Sequence, residues 1–327
     1  DTPGLDDVGE LGKMRVEKAY QVLQKTDIAI IVIDASIGET AEDAAILAEI
    51  QKRSIPYIIV KNKADLTQKQ DGENEIFVSA KTGENISVLK ERIAALAPKG
   101  EKEHRIIGDL LEPNDFVVLV VPIDSAAPKG RLILPQQQTI RDILEAGANA
   151  IVIRDSELQE TLVSLGKRPR LVITDSQIFG KVSKIVPEDI PLTSFSILMA
   201  RYKGNLEQNV KGARALEQLK NGDTVLISEG CTHHRQCEDI GTVKLPRWIR
   251  EYTGKELQFQ FTSGGTFPAD LSPYALIVHC GGCMLNEKEM QHRLSIAKEQ
   301  SAKMTNYGIC IAYIHGILER SLAPLGL

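Results

Sequence analysis

Cysteine and aromatic side chains are scarce in this chain of 327 residues, which has five cysteines, one tryptophan and 5% aromatics. So few and so unevenly placed thiols cannot form the disulfide framework of a small secreted domain. A basic excess is also missing: 39 Lys+Arg against 44 Asp+Glu leave a formal charge of −5. With no dense basic stripe, no nucleic-acid partner is expected. The longest apolar runs, residues 28–33 and 116–121, fall well short of the roughly 18 residues that span a bilayer, so no membrane partner is expected. The chain opens at Asp1 with neither Met nor a charged-then-apolar leader. The expectation is therefore a cytoplasmic protein without a signal peptide, with residues missing upstream. No fixed-period repeat or biased tract is present, which argues against solenoids and propellers.

What is present is alternation. Apolar runs of five to seven residues, rich in Val and Ile, recur between stretches of helical period, the pattern of parallel α/β units buried on both sheet faces. Residues 97–104 are charged, contain Pro and Gly and lack apolar periodicity, and read as a linker. Residues 187–191, bounded by prolines, suggest a second boundary. The expected architecture is α/β: a P-loop GTPase domain lacking its N-terminal part over residues 1–100, then two further domains with mainly parallel sheets over 101–190 and 191–327.

Three short motifs in the first segment point to a guanine nucleotide. Asp1-Thr2-Pro3-Gly4 fits the D-x-x-G element, in which the Asp helps to hold Mg2+ and the Gly amide meets the γ-phosphate. Asn62-Lys63-Ala64-Asp65 follows an apolar strand at residues 57–60. A carboxylate there accepts from guanine N1–H and the 2-amino group, neither of which adenine offers, so Asp65 is expected to select guanine. Asn62 is expected to brace the loop, and the stem of Lys63 to cover the ring. Ser79-Ala80-Lys81 follows the next strand, where the Ala80 amide is expected to face guanine O6. No G-x-x-x-x-G-K-[ST] occurs, so this chain is expected to be inactive as a GTPase even though the complete protein is one. Leu5 stands where some GTPases carry a water-orienting Gln. In both features the segment is similar to the Era and TrmE branch, some members of which use K+.

Four of the cysteines fall between residues 231 and 283. Cys231-Thr232-His233 and His279-Cys280-Gly281-Gly282-Cys283 each follow an apolar strand. Carboxyl ends of parallel strands share one sheet edge, so the two segments can meet around one site. Three thiolates with a His suit structural zinc; three thiolates with an exchangeable fourth ligand suit a 4Fe-4S cluster. Spacing alone leaves both open. His233, Glu229 and His279 are the candidate fourth ligands. Asn286 and Glu289 read as an N-cap and capping box for a helix with Met290, Leu294, Ala297 and Met304 on its apolar face. Cys237 reads equally as a residue supporting the metal ligands or as a plain loop residue, while Cys310 and Trp248 read as core.

C-x-H, a gap of 45 residues and H-C-x-x-C, behind D-x-x-G, N-K-x-D and S-A-K, resembles the HydF family of FeFe-hydrogenase maturation scaffolds. The likeness includes residues 231–237 and 245–254. It implies a GTPase domain binding GTP or GDP with Mg2+, a dimerisation domain giving a homodimer, and a 4Fe-4S cluster on Cys231, Cys280 and Cys283. It also implies a di-iron precursor received from radical-SAM maturases and passed to apo FeFe-hydrogenase. The rival expectation is an Era/TrmE-like GTPase with structural zinc, acting in RNA modification or ribosome assembly.

Overall fold

The computed structural model describes residues 22–23, 26–67, 72, 74–96, 105–123, 132–230 and 239–327. The chain divides into two compact units, Asp1–Lys102 and Glu103–Leu327. The linker expected over 97–104 lies outside the described residues.

In the first unit, β1 (Ala29–Asp34), β2 (Tyr57–Asn62) and β3 (Glu75–Phe77) form a parallel sheet in the order β1-β2-β3. Successive side chains of β2 point to opposite faces. Ile59 therefore packs with Ile31, Ile33, Ile50 and Ile55, while Ile58 and Val60 pack with Ile76 and Val78. Helix α1 (Ala41–Lys52) supplies Ile50 to the first cluster, and α2 (Ile86–Leu96) lays Ile86, Leu89 and Ile93 on the second. Thr40 and Asp43 start α1 with a reciprocal capping box, which satisfies two of its free amides.

The second unit contains two four-stranded parallel sheets. Along the chain run β4 (Phe116–Val120), α3 (Leu134–Glu145), β5 (Asn149–Ile153), α4 (Leu158–Ser164), β6 (Leu171–Thr174) and α5 (Phe179–Ile185). Next come β7 (Leu192–Ser194), α6 (Phe195–Tyr202) and α7 (Leu206–Ala213), then β8 (Thr224–Ser228), α8 (Leu245–Thr253) and β9 (Gln258–Thr262). The unit ends with β10 (Leu276–His279), α9 (Glu287–Glu299), β11 (Met304–Asn306), α10 (Tyr307–Ile314) and α11 (Leu318–Leu322). The sheet orders are β5-β4-β6-β7 and β11-β10-β8-β9. One apolar cluster joins Val118, Val120 and Val172 of the first sheet to Val225, Ile227, Leu276 and Val278 of the second. Helix α10 contributes to it and is buried from Tyr307 to Ala312, as expected of a helix apolar all round. Cys310 is part of that core, and burial pushes its thiol up to about 12.

Two expectations need correction. β7 lies beyond residues 187–191 yet pairs with β6, so the chain leaves the first sheet later than the prolines suggest. Met304 begins β11; α9 ends earlier, and Ser301 takes a left-handed φ of 54° in the turn between them. Ile227, fully buried on β8, ties the two sheets together. Ile227→Ala is expected to lower the unfolding free energy by about 2–5 kcal/mol in a urea titration.

Candidate functional site

In the first unit residues 62–65 and 79–81 converge at the carboxyl ends of the strands. Asp34 ends β1 directly beside Asn62 at the end of β2. Asn62 Oδ1 accepts from the amides of Lys63 at 2.9 Å and Ala80 at 3.0 Å. Ser79 Oγ donates to Asp65 Oδ1 at 2.7 Å and accepts from the Thr82 amide at 3.2 Å. Ser79 is fully buried, whereas Asp65, Ala80 and Lys81 are exposed. The Ala80 amide, expected to face guanine, is here held by Asn62. Lys63 adopts a left-handed φ of 67° and donates from Nζ to Asp34 Oδ2 at 2.5 Å. That bond, followed by those from Ser36, holds the Asp34 carboxyl down at about 2. Asp34 belongs to no motif named above; its place at a strand end next to N-K-x-D was the available signal. Asp1 and Gly4 lie outside the described residues.

In the second unit β8 and β10 are adjacent, with Ser228 opposite His279. The Cys280 amide donates to Ser228 O at 2.9 Å, extending the ladder past the strand end. Cys280 Sγ accepts from the amides of Gly230 at 3.0 Å and Gly282 at 3.4 Å. The amides of Cys283 and Met284 act on the Cys283 sulfur in the same sense. This cradle needs glycine twice. A Cβ on Gly230 would lie 2.7 Å from Leu285 Cγ, and Gly282 has a left-handed φ of 61°. Burial pushes the Cys283 thiol up, and the neighbouring Cys280 adds to the shift.

Glu229 follows β8 and is 2% exposed; its Oε1 accepts from Tyr307 at 3.2 Å. Burial, then the Glu229 charge, raises the Tyr307 phenol well above its ordinary range, and Cys280 acts on the same group. Cys231 and His233, with Cys237, lie outside the described residues. Among the described residues no group of three or more His, Cys, Asp and Glu side chains is gathered for a metal ion. Sulfurs that accept backbone N–H bonds are nevertheless the environment that stabilises cluster thiolates, so Cys280 and Cys283 fit that role.

His279 does not fit it. The ring is fully buried, with Nδ1 2.7 Å from Cys280 O and Nε2 3.0 Å from Arg293 Nη1. A carbonyl only accepts and a guanidinium only donates, so the ring is neutral with its proton on Nδ1. Neither nitrogen keeps a lone pair for a metal. Burial, then Arg293, lowers the imidazole to about 4.

Arg293, 1% exposed, is the hub that sequence reasoning missed. Its Nη2 donates to Gly264 O at 2.8 Å and Glu289 Oε1 at 2.9 Å, and the guanidinium lies over Phe267 at 5.2 Å. Glu289 thereby explains a further correction: Asn286 Oδ1 caps α9 through the Glu289 amide at 2.9 Å, but the Glu289 carboxylate turns to Arg293. No reciprocal capping bond is formed in this helix.

The family model described as the hydrogen maturase F dimerization domain matches residues 106–204, and that of the hydrogen maturase F tetramerization domain matches 207–324. The chain belongs to the hydrogen maturase F family. Both descriptions concern self-association, and the second names a larger assembly than the expected homodimer. The N-terminal part is similar to GTPases. It is 32% identical over 111 residues to the tRNA modification GTPase MnmE of Laribacter hongkongensis, covering 32% of this chain and 24% of that protein. The MnmE of Prochlorococcus marinus is 31% identical over 107 residues, 30% of this chain and 23% of that protein. The chain thus spans about a quarter of the length of these relatives. Among the described residues no helix is long and apolar enough to cross a membrane.

Arg293→Met would strand His279 Nε2, the Glu289 carboxylate and Gly264 O. Losing one member of a buried charged network is expected to cost about 3–5 kcal/mol in chemical denaturation.

Proposed function

We propose that this protein serves hydrogenase maturation as a GTP-binding scaffold, organised as a GTPase domain, a dimerisation domain and a cluster domain. The observation that carries the reading is the amide cradle around Cys280 at the shared end of β8 and β10. Cys280, Cys283 and Cys231 are the thiolates that would hold a 4Fe-4S cluster. Such a cluster supplies an iron with an exchangeable position, at which a di-iron precursor can dock and leave.

Glu229 and His233 remain the protein's candidates for that fourth position. Glu229 is already shielded from water and hydrogen-bonded by Tyr307, so binding iron through Oε1 would compete with that bond. A ligand that must give way to cargo suits such competition. The Gly230, Gly282, Cys283 and Met284 amides screen the sulfur charge, and His279 with Arg293 fixes the backbone from behind. The maturases that build the precursor and apo FeFe-hydrogenase are the partners in this reading, with homodimers as the working assembly in the cytoplasm.

The first unit would bind GTP or GDP with Mg2+, joined by K+ if it follows the Era and TrmE branch. Asp65 would read N1–H and the 2-amino group of guanine, with Ser79 holding its carboxylate in place. GTP hydrolysis would regulate cargo release. The nucleotide can do so only through unequal affinity for two arrangements of the protein.

Oxygen-free protein is expected to be brown, with about four iron and four sulfide per chain. Colourless protein with stoichiometric zinc would instead favour the structural zinc reading. Cys280→Ala is expected to abolish the cluster and leave guanine binding intact; losing both would contradict two separate sites. In fluorescent-nucleotide binding, Asp65→Asn is expected to weaken guanine by about 100-fold, having removed two charge-assisted hydrogen bonds. It should also admit xanthine, whose extra carbonyl an amide can serve. Unchanged guanine affinity would remove Asp65 from the base site.

A further inference from the structure

Lys203 caps the C-terminus of α6 and is 7% exposed. Its ammonium does not return to solvent. Nζ donates to Gly282 O at 2.7 Å and Leu285 O at 2.6 Å, two carbonyls of the loop that carries Cys283. The grip is mutual, because Gln291 of α9 donates from Nε2 to Lys203 O at 2.9 Å. Lys203 lies at the penultimate position of the segment matched by the dimerization model, while the loop and α9 belong to the segment matched by the tetramerization model. One side chain therefore links two parts of the second unit at the cysteine rim.

Carbonyls alone do not account for a lysine here. Burying an ammonium costs several kcal/mol in general, and proteins accept this where a negative charge compensates. Among the described residues no carboxylate forms an ion pair with Lys203. Burial accordingly pulls the amine below its ordinary range, and the groups that oppose this are first Cys283, then Cys280, Glu287 and Glu289. The two sulfurs lead that order. With both thiols protonated the cation lacks a counter-charge from them; with sulfurs bound to iron as thiolates it gains one.

We propose that Lys203 is a positioning residue for the cysteine rim, fixing the 280–285 loop through two carbonyls and bringing a positive charge to the cluster sulfurs. This rests on the reading that the rim holds iron. The charge has a definite consequence. Reduction adds an electron to a site that already carries net negative charge from its thiolates, and a nearby cation stabilises the reduced form more than the oxidised form. Lys203 therefore raises the reduction potential.

The test compares wild type, Lys203→Arg and Lys203→Gln, each loaded with iron and sulfide without oxygen and titrated potentiometrically by electron paramagnetic resonance. Gln keeps donors for both carbonyls but removes the charge. The expected result is a loaded Gln variant whose reduced-to-oxidised ratio at fixed potential falls about tenfold, or about 59 mV for one electron, with Arg close to wild type. A folded Gln variant that holds no cluster while Arg holds one also supports the proposal. A Gln variant that matches the wild-type potential overturns it, as does loss of cluster from Arg and Gln alike. If circular dichroism shows the Gln variant unfolded, Lys203→Met replaces it under the same outcomes, since Met fills the buried stem without charge. A wild type that binds no iron overturns the underlying reading, whereas a loaded wild type with an insensitive potential overturns only the role of Lys203.

Discussion

The parallel pairing of β8 with β10 is the constraint on which the second unit's site depends. It sets Ser228 opposite His279, so the residues that follow both strands leave the sheet at one rim. The Cys280 amide continues the ladder to Ser228 O, and the Gly230 amide reaches back to Cys280 Sγ. A one-residue slip in register would turn the β10 side chains to the opposite face. His279 would then leave its buried pocket and Cys280 its amides. Apolar packing on both faces, through Val225, Ile227 and Val278 on one side and Leu226 and Ile277 on the other, opposes such a slip.

Buried charge then stiffens what the sheet positions. Arg293 fixes His279 and the Gly264 carbonyl from one direction, and Lys203 holds Gly282 and Leu285 from another. Lys203, which holds the cysteine loop, and Arg293, which holds His279 just before it, are both almost wholly removed from water. A loop carrying neutral thiols has little use for such an environment. Thiolates bound to metal would suit it, because the cations and amides would offset their charge. The first unit has a comparable rim, with Asp34, Asn62 and Ser79 at the carboxyl ends of three parallel strands. In both units the α/β arrangement supplies a rim, and the residues placed on it decide the chemistry.

Much of this was legible in the amino-acid order, for identifiable physical reasons. Parallel strands covered on both faces must be largely apolar, so residues 116–121, 224–228 and 275–278 stood out. Motif residues were visible because chemistry requires particular side chains immediately after such strands. Other features carried no local signal. Lys203 is separated from its acceptors by 79 and 82 residues, and nothing in its own neighbourhood marks it as buried. Arg293 resembles any basic residue of a polar helix until Phe267, Gly264 and His279 close around it. The capping box failed because Glu289 found a guanidinium, a stronger partner than a backbone amide. The prolines at 187 and 191 marked a real loop, but a three-residue strand beyond them was too short to show as a pattern.

The central claim is that sulfur from this rim binds iron, and X-ray absorption at the iron edge of the loaded protein addresses it most directly. The account predicts a first shell of sulfur with iron as the next neighbour, and loss of cluster-bound iron when Cys283→Ala removes one protein sulfur. A shell of oxygen and nitrogen alone, or iron unaffected by that substitution, would contradict it.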